Sequence, residues 1–316
     1  MLFKNSDEII NNGETPELKK CRKDILEIFS TAIQAVDPYK SVKKQFNGNK
    51  LKINSEEMDL SYFKNIYLIG FGKASIGMAQ AVCDTIELTE GKIITNDPSA
   101  KLDHKNIEIL LGDHPIPNKR NIQATVKIIE LIKKCKEDDL IISLISGGGS
   151  ALLCKPRVEL DDVQSTTDLL LKSGADIKEI NTIRKHISYV KGGQLAKLSK
   201  CRIVTYIISD VIADSIDSIA SGPTSPDSTT FFDARNILLK YNIYNKVPHS
   251  VNNIINDGLN GKISENPKIG DPVFDKIENI IVANNKTACI AAEKKAKLLG
   301  YDPFILTDTL FGESRD

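Results

Sequence analysis

The stretch Asp139–Leu153, DLIISLISGGGSALL, constrains the fold more than any other part of the chain. Leu140–Ile145 is a short run, apolar except for Ser143, with glycines close behind it. That pattern suggests a strand buried on both faces, as in a parallel sheet, because a half-exposed strand would alternate. Gly147, Gly148 and Gly149 follow Ser146 at once. Three residues without Cβ let backbone N–H groups converge on a guest anion. If Ser150 opens a helix, its positive end points to the same spot. A tight strand-to-helix turn with no ligand is the other reading of these residues.

A second unit of the same kind lies upstream. Ile66–Ile69 reads as a buried strand, and GFGKASIGMA follows from Gly70 to Ala79. Apolar positions from Lys73 to Ile86 recur at helical spacing. Gly70, Gly72 and Gly77 miss the dinucleotide spacing, in which the third glycine would fall at Ser75. Lys73 is poorly placed for a helix dipole, which suggests an anion shared with the backbone amides. A solvated lysine is the competing reading.

The remaining pattern is an alternation of helices and short strands, which predicts an α/β sheet with crossover helices. Helices are expected over Pro16–Val36 (Thr15 as N-cap), Asn118–Lys134, Leu160–Leu171, Ile177–Tyr189, Phe231–Leu239 and Lys286–Leu299. Strands are expected over Gly91–Thr95, Ile107–Leu111, Arg202–Ile208, Ile277–Ala283 and Phe304–Leu306. Ser41–Ser61 reads as a loop and a short hairpin. Residues 241–275, polar and rich in Asn, Gly and Pro, read as a linker between a domain at 1–240 and the start of a second, smaller α/β domain at 276–316. A single βαβ unit cannot cover both faces of a sheet. The chain is therefore expected to be a fragment or a natural truncation.

Several side chains fall where ligands of such sheets bind. The turn Gly112–Asn118 holds His114 and Asp113 extended between prolines; a structural histidine is the plainer reading of His114. The helix over 177–189 carries Asn181, Arg184, Lys185, His186 and Ser188. Lys191 beside Gly192 and Gly193 invites the same anion argument as Lys73. Asp210 and Asp214 follow a strand's carboxyl end and are candidates to hold Mg²⁺ with substrate phosphates; capping aspartates are the alternative.

Composition excludes other classes. Lys plus Arg and Asp plus Glu number 42 each over 316 residues, so no net field draws nucleic acid or an anionic membrane. No apolar run reaches transmembrane length, and MLFKNSDEII lacks a signal-peptide core, so a cytoplasmic protein is expected. The six cysteines lack metal-ligand spacing and read as buried thiols. Oligomeric state is not set by these residues; a homodimer is one option.

Taken together, GFGKASIGMA, GDHPIPN, LISGGGSALL, INTIRKHISYVKGGQLA and ISDVIADSIDSIASGPTSPDSTTF resemble, in order, the glycerate 2-kinase family with a MOFRL-type C-terminal domain, which older usage calls hydroxypyruvate reductase. The resemblance implies a Rossmann-like α/β/α N-terminal domain facing a smaller α/β domain. It also implies transfer of phosphate from ATP to the 2-hydroxyl of D-glycerate, with a divalent metal such as Mg²⁺. Residue by residue, it implies an active-site role for Lys73 and phosphate binding near Gly70 and Gly72. Ser146, Gly147, Gly148, Gly149 and Ser150 match the glycine-rich loop. Lys191, Gly192 and Gly193 match the lysine–glycine–glycine block, and Asp210 and Asp214 the metal-side block. The tail from Ile280 to Glu313 resembles the first part of the second domain; the remainder, with an arginine expected to share catalysis with the lysine, does not follow. Two other expectations stay open: an NAD(P)H-dependent hydroxypyruvate reductase, and a ligand-binding fragment impaired in catalysis.

Overall fold

A computed structural model describes residues 2–310. The N-terminal helices are α1 (Ser6–Asn11), α2 (Pro16–Ala35) and α3 (Pro38–Lys43). The Thr15 hydroxyl accepts from the Leu18 N–H at 3.3 Å with Pro16 inside the first turn, as the sequence pattern predicts. Between residues 41 and 61 the expected hairpin is a three-stranded antiparallel meander, β1 (Phe46–Asn47), β2 (Lys50–Ile53) and β3 (Glu56–Asp59), with α3 reaching Lys43.

The main sheet contains β4 (Ile66–Phe71), β5 (Glu90–Thr95), β6 (Ile107–Leu111), β7 (Leu140–Ile145), β8 (Arg202–Ile208) and β9 (Ile277–Ala283). They are all parallel, in the spatial order β6-β5-β4-β7-β8-β9. Counted from β4, that is the order of doubly wound sheets whose ligands sit where the winding reverses. Here the reversal lies between β4 and β7. Their register pairs Phe71 with Ile145, so both strands stop at one level and the two glycine turns emerge side by side. Ile145 is in turn level with Ile207 of β8. Residues following β8 therefore join the same edge.

Alternation within each strand feeds two cores. Tyr67, Ile69, Phe71, Ile141, Ile145, Ile203 and Ile207 face one layer, which includes α5 (Lys119–Lys134). Leu68, Ile142, Leu144, Val204 and Tyr206 face the other, with α4 (Ser75–Cys83). Burial on both faces is why these strands read as continuous apolar runs.

The expected domain boundary does not divide the sheet. Residues expected to begin a second domain form β9, which pairs parallel with β8, and α12 (Asn285–Leu298), which packs on α2. Nor is 241–275 a free linker. Ile243, Val247, Val251 and Ile255 are buried in a third core built by α7 (Leu160–Lys172), α8 (Ile177–His186), α10 (Phe231–Lys240) and α11 (His249–Leu259). Val251 and Ile255 lie one turn apart on α11, and Ile243 and Val247 come from the turn before it, so a polar segment still supplies four core residues. Phe304–Leu306 forms no strand. The last residues of the tail, 311–316, lie outside the described residues. Among the described residues, no helix is long and apolar enough to cross a membrane.

Candidate active site

The two glycine turns are tied to each other before any ligand is considered. The Lys73 N–H donates to Gly147 O at 2.9 Å, the Ala74 N–H to Ser146 Oγ at 3.0 Å, and the Ser146 N–H to Phe71 O at 3.3 Å. Gly72 has φ +134°, and a Cβ there would meet Ser146 O at 2.7 Å. Gly70 sits inside β4, where a Cβ would meet Ile93 Cδ1 at 2.8 Å. Gly70 and Gly72, expected to open the backbone to phosphate, therefore serve close packing of chain segments, and the amides beside them are already engaged.

The second turn is different. Among the described residues, the N–H groups of Gly147, Gly148 and Ser150 donate to no protein acceptor, whereas Gly149 N–H reaches Ser146 O at 3.1 Å. These three unclaimed donors form a concave anion cradle. Gly148, at φ +83°, makes the turn possible. The helix that follows, α6, spans only Gly149–Leu152. The expected dipole is thus one turn long, and the local amides carry the attraction to an anion.

Lys73, His114 and Asp210 converge on this cradle. A Cβ on Gly148 would lie 3.0 Å from His114 Cδ2 and 3.4 Å from Lys73 Cγ; one on Gly147 would lie 2.9 Å from Asp210 Cγ. Lys73 is exposed at the lip. Burial, and then the Lys73 charge, lower the His114 imidazole below its usual value, while Asp210 opposes that. Asp210 accepts no hydrogen bond and forms no ion pair among the described residues. Asp214 accepts from Asn284 Nδ2 at 2.5 Å. Both aspartates line a cleft of about 410 Å³ beyond β8. Among the described residues, no group of three His, Cys, Asp or Glu side chains is placed to hold a metal. Two carboxylates do suit Mg²⁺ when phosphate oxygens complete its shell.

The backbone around Asp214 departs from regular geometry. Ala213, Asp214, Ala220 and Ser221 all have positive φ, between 52° and 61°. Such residues persist where surrounding structure holds them, often at binding sites. Ser221 Oγ shares a 2.8 Å hydrogen bond with Ser150 Oγ and donates to Asn181 Oδ1 at 3.2 Å, linking the strained loop to the cradle and to α8.

The lysine–glycine–glycine block behaves unlike its expectation. The Lys191 ammonium donates to Ser150 O at 2.5 Å and Leu153 O at 3.1 Å, with Ser150 Oγ at 3.4 Å. Gly192 N–H reaches Ser221 O at 2.9 Å, and Gly193 N–H reaches Gly222 O at 2.7 Å. Lys191 thus braces the end of the cradle, and the two glycine amides tie the block to the Ser221–Gly222 loop. Burial, reinforced by nearby Arg184, lowers the Lys191 ammonium to about 8.

A cleft of about 460 Å³ opens beside the cradle, with His114, Gly148, Ser150, Lys155, Arg184 and Lys191 in its wall. Basic residues outnumber the acidic Asp168 in that wall, and the sequence alone gives no role to Lys155, Asn181, Arg184 or Ser221. Asn181 and Arg184 stand three residues apart on α8, a spacing that puts both on one helix face.

The same chain is similar to proteins already characterised by name. A profile described as "Domain of unknown function (DUF4147)" matches residues 24–256. The glycerate 2-kinase of Pyrococcus horikoshii is 41% identical over 295 residues, spanning 92% of this chain and 66% of that protein. The D-glycerate 2-kinase of Thermotoga maritima is 34% identical over 300 residues, spanning 93% of this chain and 66% of that protein. A crystal structure of glycerate kinase from Thermotoga maritima superposes with a TM-score of 0.77 at 33% identity, over 90% of this chain and 64% of that one. The chain thus spans slightly less than two thirds of the length of these relatives.

Proposed function

The chain belongs to the family of the matched DUF4147 domain, and from that premise and its likeness to glycerate 2-kinases we propose that it phosphorylates the 2-hydroxyl of D-glycerate with ATP to give 2-phosphoglycerate. The observation that carries this reading is the convergence of Lys73, His114 and Asp210 on the unclaimed amides of Gly147, Gly148 and Ser150. Phosphoryl transfer requires mainly positioning and neutralisation of charge spread over the moving group. The amides would hold phosphate oxygens. The flexible Lys73 ammonium would follow the moving phosphoryl group at the lip. His114, held neutral by burial and by Lys73, is suited to accept the proton of the attacking hydroxyl. Asp210, with Asp214, would hold Mg²⁺ jointly with the phosphates, and the ion would supply positive charge between phosphate oxygens when bound.

A Rossmann-like assignment of the sheet agrees with the strand order. It does not favour a nicotinamide cofactor, because the amides of Lys73 and Ala74 that would face a pyrophosphate are hydrogen bonded to the neighbouring turn. We propose a cytoplasmic location, a reading supported by six free thiols that include neighbouring Cys135 and Cys201.

The test is incubation with D-glycerate, ATP and Mg²⁺ followed by ³¹P NMR. The expected product carries phosphorus on the secondary oxygen. Absence of any phosphorylated glycerate, or phosphate on the primary oxygen alone, would refute the assignment.

A further inference from the structure

Three consecutive basic residues end α8: Arg184, Lys185 and His186. Two of them face carboxylates. Lys185 lies 3.3 Å from both Asp217 and Asp227, and His186 lies 3.4 Å from Glu265. Arg184 turns the other way, into the cleft of about 460 Å³, and among the described residues it has neither an ion pair nor a hydrogen bond. Lys155 and Lys191 share that wall, the Arg184 charge opposing that of Lys191, and the acidic residue there, Asp168, forms no ion pair with Arg184. Burial lowers the Arg184 guanidinium as well. The α8 C-terminus favours a cation but supplies no matching acceptor. A partly buried guanidinium beside a buried ammonium, ion-paired to no carboxylate among the described residues, is an arrangement that folding alone disfavours.

We propose that Arg184 anchors the carboxylate of the small acid substrate, and that it is the residue by which this cleft distinguishes a 2-hydroxy acid from a neutral polyol. The proposal rests on the reading given above and names the group within that site which holds the acid. A guanidinium offers two parallel N–H donors whose spacing matches a carboxylate, whereas Lys191 has directed its donors to Ser150 and Leu153. Asn181 stands on the same face of α8 and is hydrogen bonded through Ser221 to Ser150, so the anchor and the cradle are held by one helix. An acid bound at Arg184 would project its hydroxyl along the cleft towards Gly148 and His114.

The same chemistry would serve a nucleotide phosphate, so the test separates the two. The 316-residue chain and its Arg184→Met and Arg184→Lys variants are titrated calorimetrically with D-glycerate, glycerol and Mg-ADP. Glycerate binding is expected to weaken about 100-fold in Arg184→Met and less in Arg184→Lys, with Mg-ADP binding unchanged. Glycerol is expected to bind too weakly to register. Because Arg184 has no hydrogen-bond or ion-pair partner among the described residues, Arg184→Met is also expected to raise Tm by about 2–4 °C without ligand. A structural arginine would give a fall instead. Unchanged glycerate affinity in Arg184→Met, loss of Mg-ADP affinity in place of glycerate affinity, or no glycerate binding by the parent chain would each overturn the proposal. If glycerate binds through Arg184 but is never phosphorylated, the anchor stands and the kinase reading fails. If glycerate is phosphorylated equally well by Arg184→Met, the reverse holds.

Discussion

The backbone N–H of Lys73 donates to the carbonyl oxygen of Gly147 at 2.9 Å, so the lysine at the lip and the glycine cradle are held together through their main chains. The Lys73 side chain takes no part in that tie and remains exposed.

Lys73→Ala is accordingly expected to lower turnover of glycerate by about 10³-fold, the scale of losing a charge that neutralises the transition state. Its unfolding midpoint should stay within about 2 °C of the parent. Initial rates of ADP release together with thermal melts check both halves. Retained turnover would remove Lys73 from the mechanism.

Gly72→Ala should act in the opposite way. Its φ of +134° excludes an L side chain, and the new Cβ would press on Ser146 O at 2.7 Å, a backbone atom that cannot swing aside. A loss of about 3 kcal/mol or more is expected in urea unfolding. Unchanged stability would show that the two turns can separate freely.

Lys191 predicts a pH signature. Its folded value is about 8, against 10.5 for an ordinary lysine, so the unfolded chain holds more protons between these limits. Stability contributed by this group must therefore rise with pH across that window, by up to about 3 kcal/mol relative to Lys191→Met. Anion binding should move the other way, weakening several-fold from pH 7 to 9.5 as the brace loses its charge. Paired denaturation and calorimetric titrations at several pH values test the crossing trends.

Lys185 and Asp227 form a buried pair, 3% and 0% exposed, that pins the turn at Gly192 against Asn266. Burial alone would raise the Asp227 carboxyl; Lys185, Asn266 and Thr229 together hold it low. Lys185→Met should cost about 3–5 kcal/mol by leaving that carboxylate alone. Adding Asp227→Asn, which keeps acceptors for Thr229, should recover at least half, as measured by a double-mutant cycle.

Much of this architecture is legible in the residues. Short, largely apolar runs such as Leu140–Ile145 announce a doubly covered parallel sheet, and the glycine turns follow two of them. Neighbour relations are not written the same way. Ile277–Ala283 reads as a strand, but nothing local states that it lies beside β8, so it passes for the opening of a new domain. The buried residues Val247, Val251 and Ile255 are diluted by Asn and Asp until the segment resembles a linker. Sequence also shows which amides exist without showing which are engaged. The donors beside Gly72 and Gly192 are taken by nearby carbonyls and Ser146, and those of Gly147 and Gly148 are not. Arg184 is visible in the sequence as one of several polar residues on α8, but its meaning lies in having no partner among the described residues, which only three dimensions reveal.

The placement of β9 bears on how the chain is born. Synthesis completes β8 at Ile208, but the strand that covers its outer side does not emerge until Ile277. Throughout that interval the nascent sheet presents an open row of peptide groups to its surroundings. The helical cluster of α7, α8, α10 and α11 is finished within the same interval. It can therefore consolidate beside an incomplete sheet whose last seam the ribosome has yet to deliver.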